Sequence, residues 1–166
     1  MRILGVDPGT ATVGYGVIDI GRAWAPHLVA AGVVVTGKNL PIARRLQEIH
    51  ADLAGLLETY RPDHVAVEEL FFVRNVTNGI GVAMARGVIL LAAAQFGREA
   101  AGYKPMVVKQ MVAGHGRADK RDVQEAVRDA LALETIPRPD DAADALAIAL
   151  CHMQHLEVGL VQADPA

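Results

Sequence analysis

Near its start the chain reads ILGVDPGT over residues 3–10. Residues 3–6 form an apolar run that predicts a buried strand, and Pro8 and Gly9 predict a turn after it. Two further apolar runs, residues 14–19 and 28–36, follow at short spacing. Connections this short predict strands that pair as antiparallel hairpins. Asp7 would therefore stand at one edge of a sheet, where the first strand ends.

Beyond these strands the sequence alternates between helical and extended patterns. We expect, in order, a helix from Pro41 to residue 60, a strand at 64–69, a loop at 71–78, a largely buried helix at 79–97, a strand at 99–105 and a helix at 106–113. A helix followed by a strand favours parallel addition to the sheet. The order of elements is an RNase H-like α/β plan, with a five-stranded mixed sheet flanked by helices.

The last third of the chain predicts two more helices. Asp119 can cap the first of them. Its inner face would be formed by Val123, Val127, Ala130 and Leu131. The second would begin at Asp140 or Asp141 and run to about Glu157. We expect one domain over residues 1–158 and a frayed tail at 159–166.

Four carboxylates fall in three separated places. Asp7 and Glu68 each follow a short apolar run, so buried strands would deliver both to one sheet edge. Asp141 and Asp144 are spaced i, i+3, so a helix places both on one face. Such a cluster repels itself unless a cation lies within it. Divalent metal bound by carboxylates, with phosphate as its partner, is the usual arrangement.

Each of these acids also has a simpler interpretation. Asp7 could only close a turn, and Glu68 could be an exposed strand end. Glu69 competes with Glu68, because successive side chains of a strand point to opposite faces. Acids in a first helical turn complement the helix dipole, which explains one of them well. The dipole explains less well why three acids crowd an Ala- and Leu-rich surface. We interpret Asp140 as the helix cap, and Asp141 and Asp144 as metal ligands.

Composition and charge leave a polyanionic substrate possible. The chain has 166 residues, 52% of them hydrophobic and 21% charged, which is typical of a globular domain. The net charge of −3 includes the four acids, and two divalent ions would offset the charge of these acids. The single cysteine, Cys151, excludes an intrachain disulfide and favours a reducing compartment. The longest apolar stretch, 87–96, is too short to span a bilayer, so we expect a cytoplasmic protein without membrane contact.

Taken together, the motifs resemble RuvC, the bacterial Holliday-junction resolvase family. They are GVDPGT at 5–10, GYGV at 14–17, Glu68 with Phe71, ARG at 85–87, VKQ at 108–110 and DAADALA at 141–147. The resemblance implies a structure-selective endonuclease that makes paired symmetric nicks in four-way DNA junctions, leaving 5′-phosphate and 3′-hydroxyl ends. It also implies that two metal ions, Mg²⁺ or Mn²⁺, are bound by the family's four acids, which match Asp7, Glu68, Asp141 and Asp144.

The resemblance also implies how DNA is held. Residues 104–121 carry five cations, which suits a track for the phosphate backbone. Lysines that match Lys109 and Lys120 matter in the family, and Lys120 joins the catalytic set beside the scissile phosphate. Phe71 would stack on junction bases, and Phe72 would belong to the core. The predicted DNA-binding residues are Phe71, Arg74, Lys104, Lys109, Arg117, Lys120 and Arg121.

Symmetry predicts the partners. A four-way junction has approximate two-fold symmetry, so one active site per chain predicts a C2 homodimer. The apolar helix at 79–97 is the candidate interface, unless it is simply buried in the core. The resemblance adds a branch-migration motor. Two other functions stay open: an actin-like or sugar-kinase-type ATPase domain, which opens on the same DPGT turn, and a non-catalytic junction-binding relative.

Overall fold

The structure is a computed structural model that describes residues 1–70 and 76–163, without the side chains of residues 76–78 and 160–163. Its elements are β1 (Arg2–Asp7), β2 (Thr12–Ile20), β3 (Pro26–Val35), α1 (Ile42–Tyr60), β4 (His64–Glu68), α2 (Val76–Gln95), β5 (Ala100–Tyr103), α3 (Pro105–Ala113), α4 (Lys120–Ala130) and α5 (Asp140–Ala163). None of the helices in the described part of the chain is long and apolar enough to cross a membrane.

The five strands form one mixed sheet in the order β3-β2-β1-β4-β5. The first three pair antiparallel, and β4 and β5 join in parallel with β1, as the sequence predicted. In the parallel pair Val6 lies opposite Val67, so β1 and β4 end at the same sheet edge. The chain therefore delivers its strand-end acids to one place.

Helices cover both faces of the sheet. On one face α1 and α2 pack over β1, β2 and β4, and Ile49, Leu53 and Ile89 are buried there. On the other face α5 lies over the sheet with α3 and α4 beside it. Strand side chains alternate between these two layers, with Leu4 in the first and Ile3 in the second.

Glycine and alanine let α5 lie almost on the sheet backbone. A Cβ added at Gly5 would lie 2.1 Å from the carbonyl oxygen of Ala145, and one at Gly14 would lie 2.0 Å from that of Asp141. No side chain fits at either position. The helix contributes small side chains to this contact: the buried alanines are Ala142, Ala143, Ala145, Ala147 and Ala149. This close contact fixes the height of α5 above β1 and β2.

Two helix boundaries differ from the sequence prediction, the start of α2 and the end of α5. The helix predicted from 79 begins at Val76. Residues 71–75, the rest of the predicted loop, lie outside the described residues. The last helix continues to Ala163, so residues 159–163 are helical and not a frayed tail. A single glycine, Gly159, costs only about 1 kcal/mol and does not end it.

In α4 the structure confirms the predicted N-terminal cap, but one residue of the predicted inner face is exposed. The Asp119 carboxylate accepts a hydrogen bond from the backbone N–H of Asp122, whose carboxylate accepts one from the backbone N–H of Asp119. Val123 and Val127 are buried as predicted, and so is Leu131 just beyond the helix. Ala130, which was predicted to face inward, is exposed. The buried side chains follow one another at a spacing of four residues, and Ala130 lies outside that row.

Candidate active site at the edge of the sheet

The four predicted acids come from three elements that meet at one end of the sheet. Asp7 is the last residue of β1, and Glu68 is the last residue of β4. Both point toward α5, since Ile3 and Ala66, in register with them by strand alternation, pack on that side. The first turns of α5 carry Asp141 and Asp144 over the same edge.

Three of these acids form a compact cluster. Asp7, Asp141 and Asp144 each offer a carboxylate oxygen, and the three oxygens lie within 4.8 Å of one another. Glu68 is outside this group but lines the same cleft as Asp7 and Asp144. Its neighbour Glu69 does not line the cleft, and its carboxylate lies against Gly102 instead. Asp7, Glu68 and Asp144 thus line the cleft, and Asp141 lies beside it with its carboxylate close to those of Asp7 and Asp144.

Burial and mutual repulsion destabilise the ionised form of these carboxylates when no cation is bound. Burial, followed by the charges of Glu68, Asp144 and Asp141, raises the pKa of Asp7 to about 7. Burial, followed by the charge of Asp144, raises the pKa of Glu68 to about 7. The pKa of Asp144 is also raised, mainly by burial, although Lys120 opposes the shift. A divalent cation would remove this cost, because it replaces repulsion with attraction.

The donor set fits a hard divalent ion. All the converging atoms are carboxylate oxygens, which Mg²⁺ and Mn²⁺ prefer, and the cluster contains neither imidazole nor thiolate. The residues that would hold the metal are therefore Asp7, Asp141 and Asp144, with Glu68 beside them.

Comparison with known proteins decides the family. The family model described as crossover junction endodeoxyribonuclease RuvC matches residues 3–152. The chain belongs to the RuvC family. The RuvC of Heliobacterium modesticaldum is 54% identical over 160 residues, which cover 96% of this chain and 98% of that protein.

Solved RuvC structures share the fold. The Thermus thermophilus RuvC structure superposes with a TM-score of 0.88 at 41% identity and covers 96% of this chain and 97% of its own. T. thermophilus RuvC in complex with Holliday junction substrate gives 0.90 at 42% identity, covering 96% of each chain. These likenesses confirm the predicted RNase H-like fold and the assignment as a crossover junction endodeoxyribonuclease, and they do not favour the ATPase alternative.

Among the described residues, Lys120 is a cation in direct contact with the carboxylate cluster. It is the first residue of α4, and its ammonium lies 3.2 Å from Oδ2 of Asp144 and 3.4 Å from Oδ2 of Asp140. Burial opposes its charge, but hydrogen bonds and charges from these two carboxylates raise the pKa of Lys120 overall. Lys109 also lines the cleft, and its charge acts on Glu68. A phosphate bound close to the acids would therefore be within reach of both Lys109 and Lys120.

The other residues of the predicted DNA track do not line the cleft or lie outside the described residues. Lys104, Arg117 and Arg121 are exposed beside α3 and α4 but do not line the cleft, and Arg121 is paired with Glu125 at 2.9 Å. Phe71, Phe72 and Arg74 lie outside the described residues. Their contacts with DNA remain predictions.

Two residues have contacts that the sequence did not indicate. The Arg86 side chain donates a hydrogen bond from Nε to the backbone carbonyl of Glu68 at 3.1 Å, so it anchors the end of β4. Asp140, predicted as the cap of α5, is instead its first helical residue. Its carboxylate binds Arg138 and Lys120, because those cations are within reach and attract it more strongly than a backbone amide. Arg86 belongs to the ARG motif at 85–87, but that motif did not indicate this contact.

Proposed function

We propose that this RuvC-family protein cuts four-way junctions at the cleft formed by Asp7, Glu68, Asp141 and Asp144, with two divalent ions bound to those acids. The observation that carries the proposal is the convergence of three carboxylate oxygens within 4.8 Å, beside Glu68 and two lysines. When bound, such ions activate a water molecule and stabilise the leaving 3′-oxygen.

The residues of the chain provide the rigid frame for this reaction. Asp7 and Glu68 sit on adjacent strand ends, and Asp144 sits on a helix packed against those strands, so the acids cannot drift apart. The Lys120 ammonium, at the mouth of the cleft, would bind a non-bridging oxygen of the scissile phosphate and offset its charge. Hydrolysis on this frame would leave a 5′-phosphate and a 3′-hydroxyl.

The matched pair Asp141→Asn and Asp129→Asn tests the metal site. Each removes one carboxylate charge, but Asp129 is exposed and pairs with Arg128 on the outer side of α4. Asp141→Asn should lower junction cleavage by orders of magnitude and abolish the rise in Tm that Mg²⁺ produces, while junction binding persists. Asp129→Asn should behave as the wild type. Full activity in Asp141→Asn would show that another acid is the ligand.

We further propose that Phe71 and the basic residues contact the junction around the cut. Support comes from the family resemblance and from the position of Lys109 and Lys120 in the cleft. A base stacked on an aromatic side chain gains about 1–3 kcal/mol. Phe71→Ala should therefore weaken cleavage of intact junctions and leave Tm unchanged. A large fall in Tm would instead identify Phe71 as a core residue.

The proposed homodimer is supported by one face of α2. Ile80, Met84 and Leu91 are 52%, 44% and 52% exposed, and with Gly87 they recur at helical spacing on one stripe. Ile89, which the sequence included in the interface, is fully buried on the opposite side. An apolar stripe of this kind is typical of a surface that a second copy covers.

Light scattering on charged variants tests the dimer. Met84→Glu should give monomers that bind junctions weakly and fail to make paired cuts in a cruciform plasmid. Val158→Glu is the control, since Val158 is 50% exposed on α5, across the sheet from α2. A wild-type monomer that linearises the cruciform in one binding event would contradict the dimer.

A branch-migration motor is the further partner that we propose, on the family resemblance alone. Cleavage of a mobile junction should then accelerate when such a motor and ATP are added, and cleavage of an immobile junction should not. We also propose a cytoplasmic location, because the single cysteine of the chain favours a reducing compartment and the proposed substrate is DNA. Equal rates on both junctions would remove the motor from the proposal.

A further inference from the structure

Lys120 occupies a position that its own helix disfavours. The first turn of a helix carries partial positive charge, so a cation there destabilises the helix. The capping box between Asp119 and Asp122 nevertheless fixes the backbone on either side of Lys120, with both hydrogen bonds at 2.9 Å. The stem of Lys120 is thus firmly placed, and its charge is compensated from α5 and not from α4.

Two carboxylates of α5 share the Lys120 ammonium, but only one of the two belongs to the acidic cluster. Asp144 belongs to the compact cluster with Asp7 and Asp141, and its side chain is 32% exposed. Asp140 is outside that cluster and is 42% exposed. Its Oδ1 is bound by Arg138 and its Oδ2 faces Lys120. One partner of Lys120 is therefore a metal-site residue, and the other is free of the metal site.

Metal binding would affect these two partners differently. A divalent ion on Asp144 competes with the ammonium for the same carboxylate and repels it. A lysine has a flexible four-carbon stem, so an ammonium that loses its only partner swings away. Asp140 offers a second partner at nearly the same distance, and Arg138 holds that carboxylate in place.

We infer that Asp140 is a positioning residue, which retains Lys120 at the mouth of the cleft when Asp144 is engaged by metal. The inference rests on the proposed function, in which Lys120 meets the scissile phosphate. It assigns Asp140 no contact with metal or DNA. Its effect on the reaction passes entirely through Lys120.

Single-turnover cleavage at saturating junction and Mg²⁺ tests this role. Asp140→Asn should cut about tenfold more slowly, the order expected when a supporting partner of a site residue is lost. Its Mg²⁺ requirement should be unchanged and its junction affinity should not fall. Asp140→Glu should recover most of the rate, and Asp129→Asn, which removes the same charge from α4, should match the wild type. A raised Mg²⁺ requirement would make Asp140 a ligand and overturn the inference.

A mutant cycle isolates the path through Lys120. In a Lys120→Met background, Asp140→Asn should cause no further loss of rate, because the residue it positions is gone. An equal loss in both backgrounds, or no loss in either, would overturn the inference.

A spectroscopic measurement gives a readout independent of activity. In protein labelled with ¹³C-lysine, the two Hε protons of a held Lys120 should differ in chemical shift, with exposed Lys38 as the averaged reference. With Mg²⁺ present, the difference should persist in the wild type and collapse in Asp140→Asn. A collapse in the wild type would refute the inference. If the wild type failed to cut junctions, the proposed function would fail and this measurement would still decide the contact.

Discussion

Replacing Gly14 with alanine should disable the site without changing any of its acids. Gly14 lies on β2 opposite Asp7, and a Cβ there would lie 2.0 Å from the carbonyl oxygen of Asp141. Ordinary contacts begin at 3.4 Å, so the first turn of α5 must retreat by roughly 1 Å or more. A misplacement of about 1 Å can cost about 100-fold in rate. The overpacking itself should cost about 1–3 kcal/mol of folding free energy.

The assay compares rate with stability in the same samples. Single-turnover junction cleavage should fall by about 100-fold in Gly14→Ala, at a temperature well below its reduced Tm. Gly55→Ala is the matched control, because Gly55 lies in α1 with nothing within 4 Å of an added Cβ. That variant should keep its rate and gain up to about 1 kcal/mol of stability. A Gly14→Ala enzyme that cuts at the wild-type rate would refute the close approach of α5 as the feature that places Asp141.

Three further changes test the electrostatics and the cap. With its pKa raised to about 7 by burial and by Glu68, ionised Asp7 costs the metal-free fold up to about 4 kcal/mol above pH 7. Urea unfolding in EDTA should therefore find Asp7→Asn more stable than wild type at pH 8, with the gap closing toward pH 4. Burial lowers the pKa of His152 to about 4, and the unfolded chain takes up that proton near pH 6.5. Stability from His152 is thus lost as pH falls from 6.5 to 4, and His152→Gln should show a smaller loss than wild type over this range. Asp119→Ala removes the cap of α4 and should lower the free energy of unfolding by about 1 kcal/mol, whereas an unchanged value would mean that the cap is replaced by water.

The sheet and its edge could be predicted because local signals agree with the tertiary structure. Short turns force antiparallel pairing of the first three strands, and an intervening helix favours parallel pairing of β4. Two strands that run parallel end on the same side. The position of Asp7 beside Glu68 therefore follows from topology alone, before any side chain is placed.

The inner and outer faces of α2 could not be predicted, because the helix is apolar on all sides. Periodicity selects a buried face only when polar residues mark the other one. Packing against α1 and the sheet buries Ala85 and Ile89 and leaves Met84 and Leu91 outside. The same limit applies to Asp140, because its contacts with Lys120 and Arg138 depend on how α4 and the preceding loop lie against α5.

The spacing between helix and sheet connects the small residues of this chain to its chemistry. Asp7 belongs to a strand and Asp144 to a helix, so the distance between their carboxylates depends on how far α5 stands from β1. Gly5 and Ala145 bring the two backbones into contact, and that contact closes the cluster. Larger residues there would bury more apolar surface and separate the acids. The raised pKa values of Asp7 and Asp144 show the energetic cost of this arrangement, and a cation in the cleft would remove that cost at neutral pH. The alanines of DAADALA and the glycines facing them are therefore as much a part of the proposed metal site as the acids.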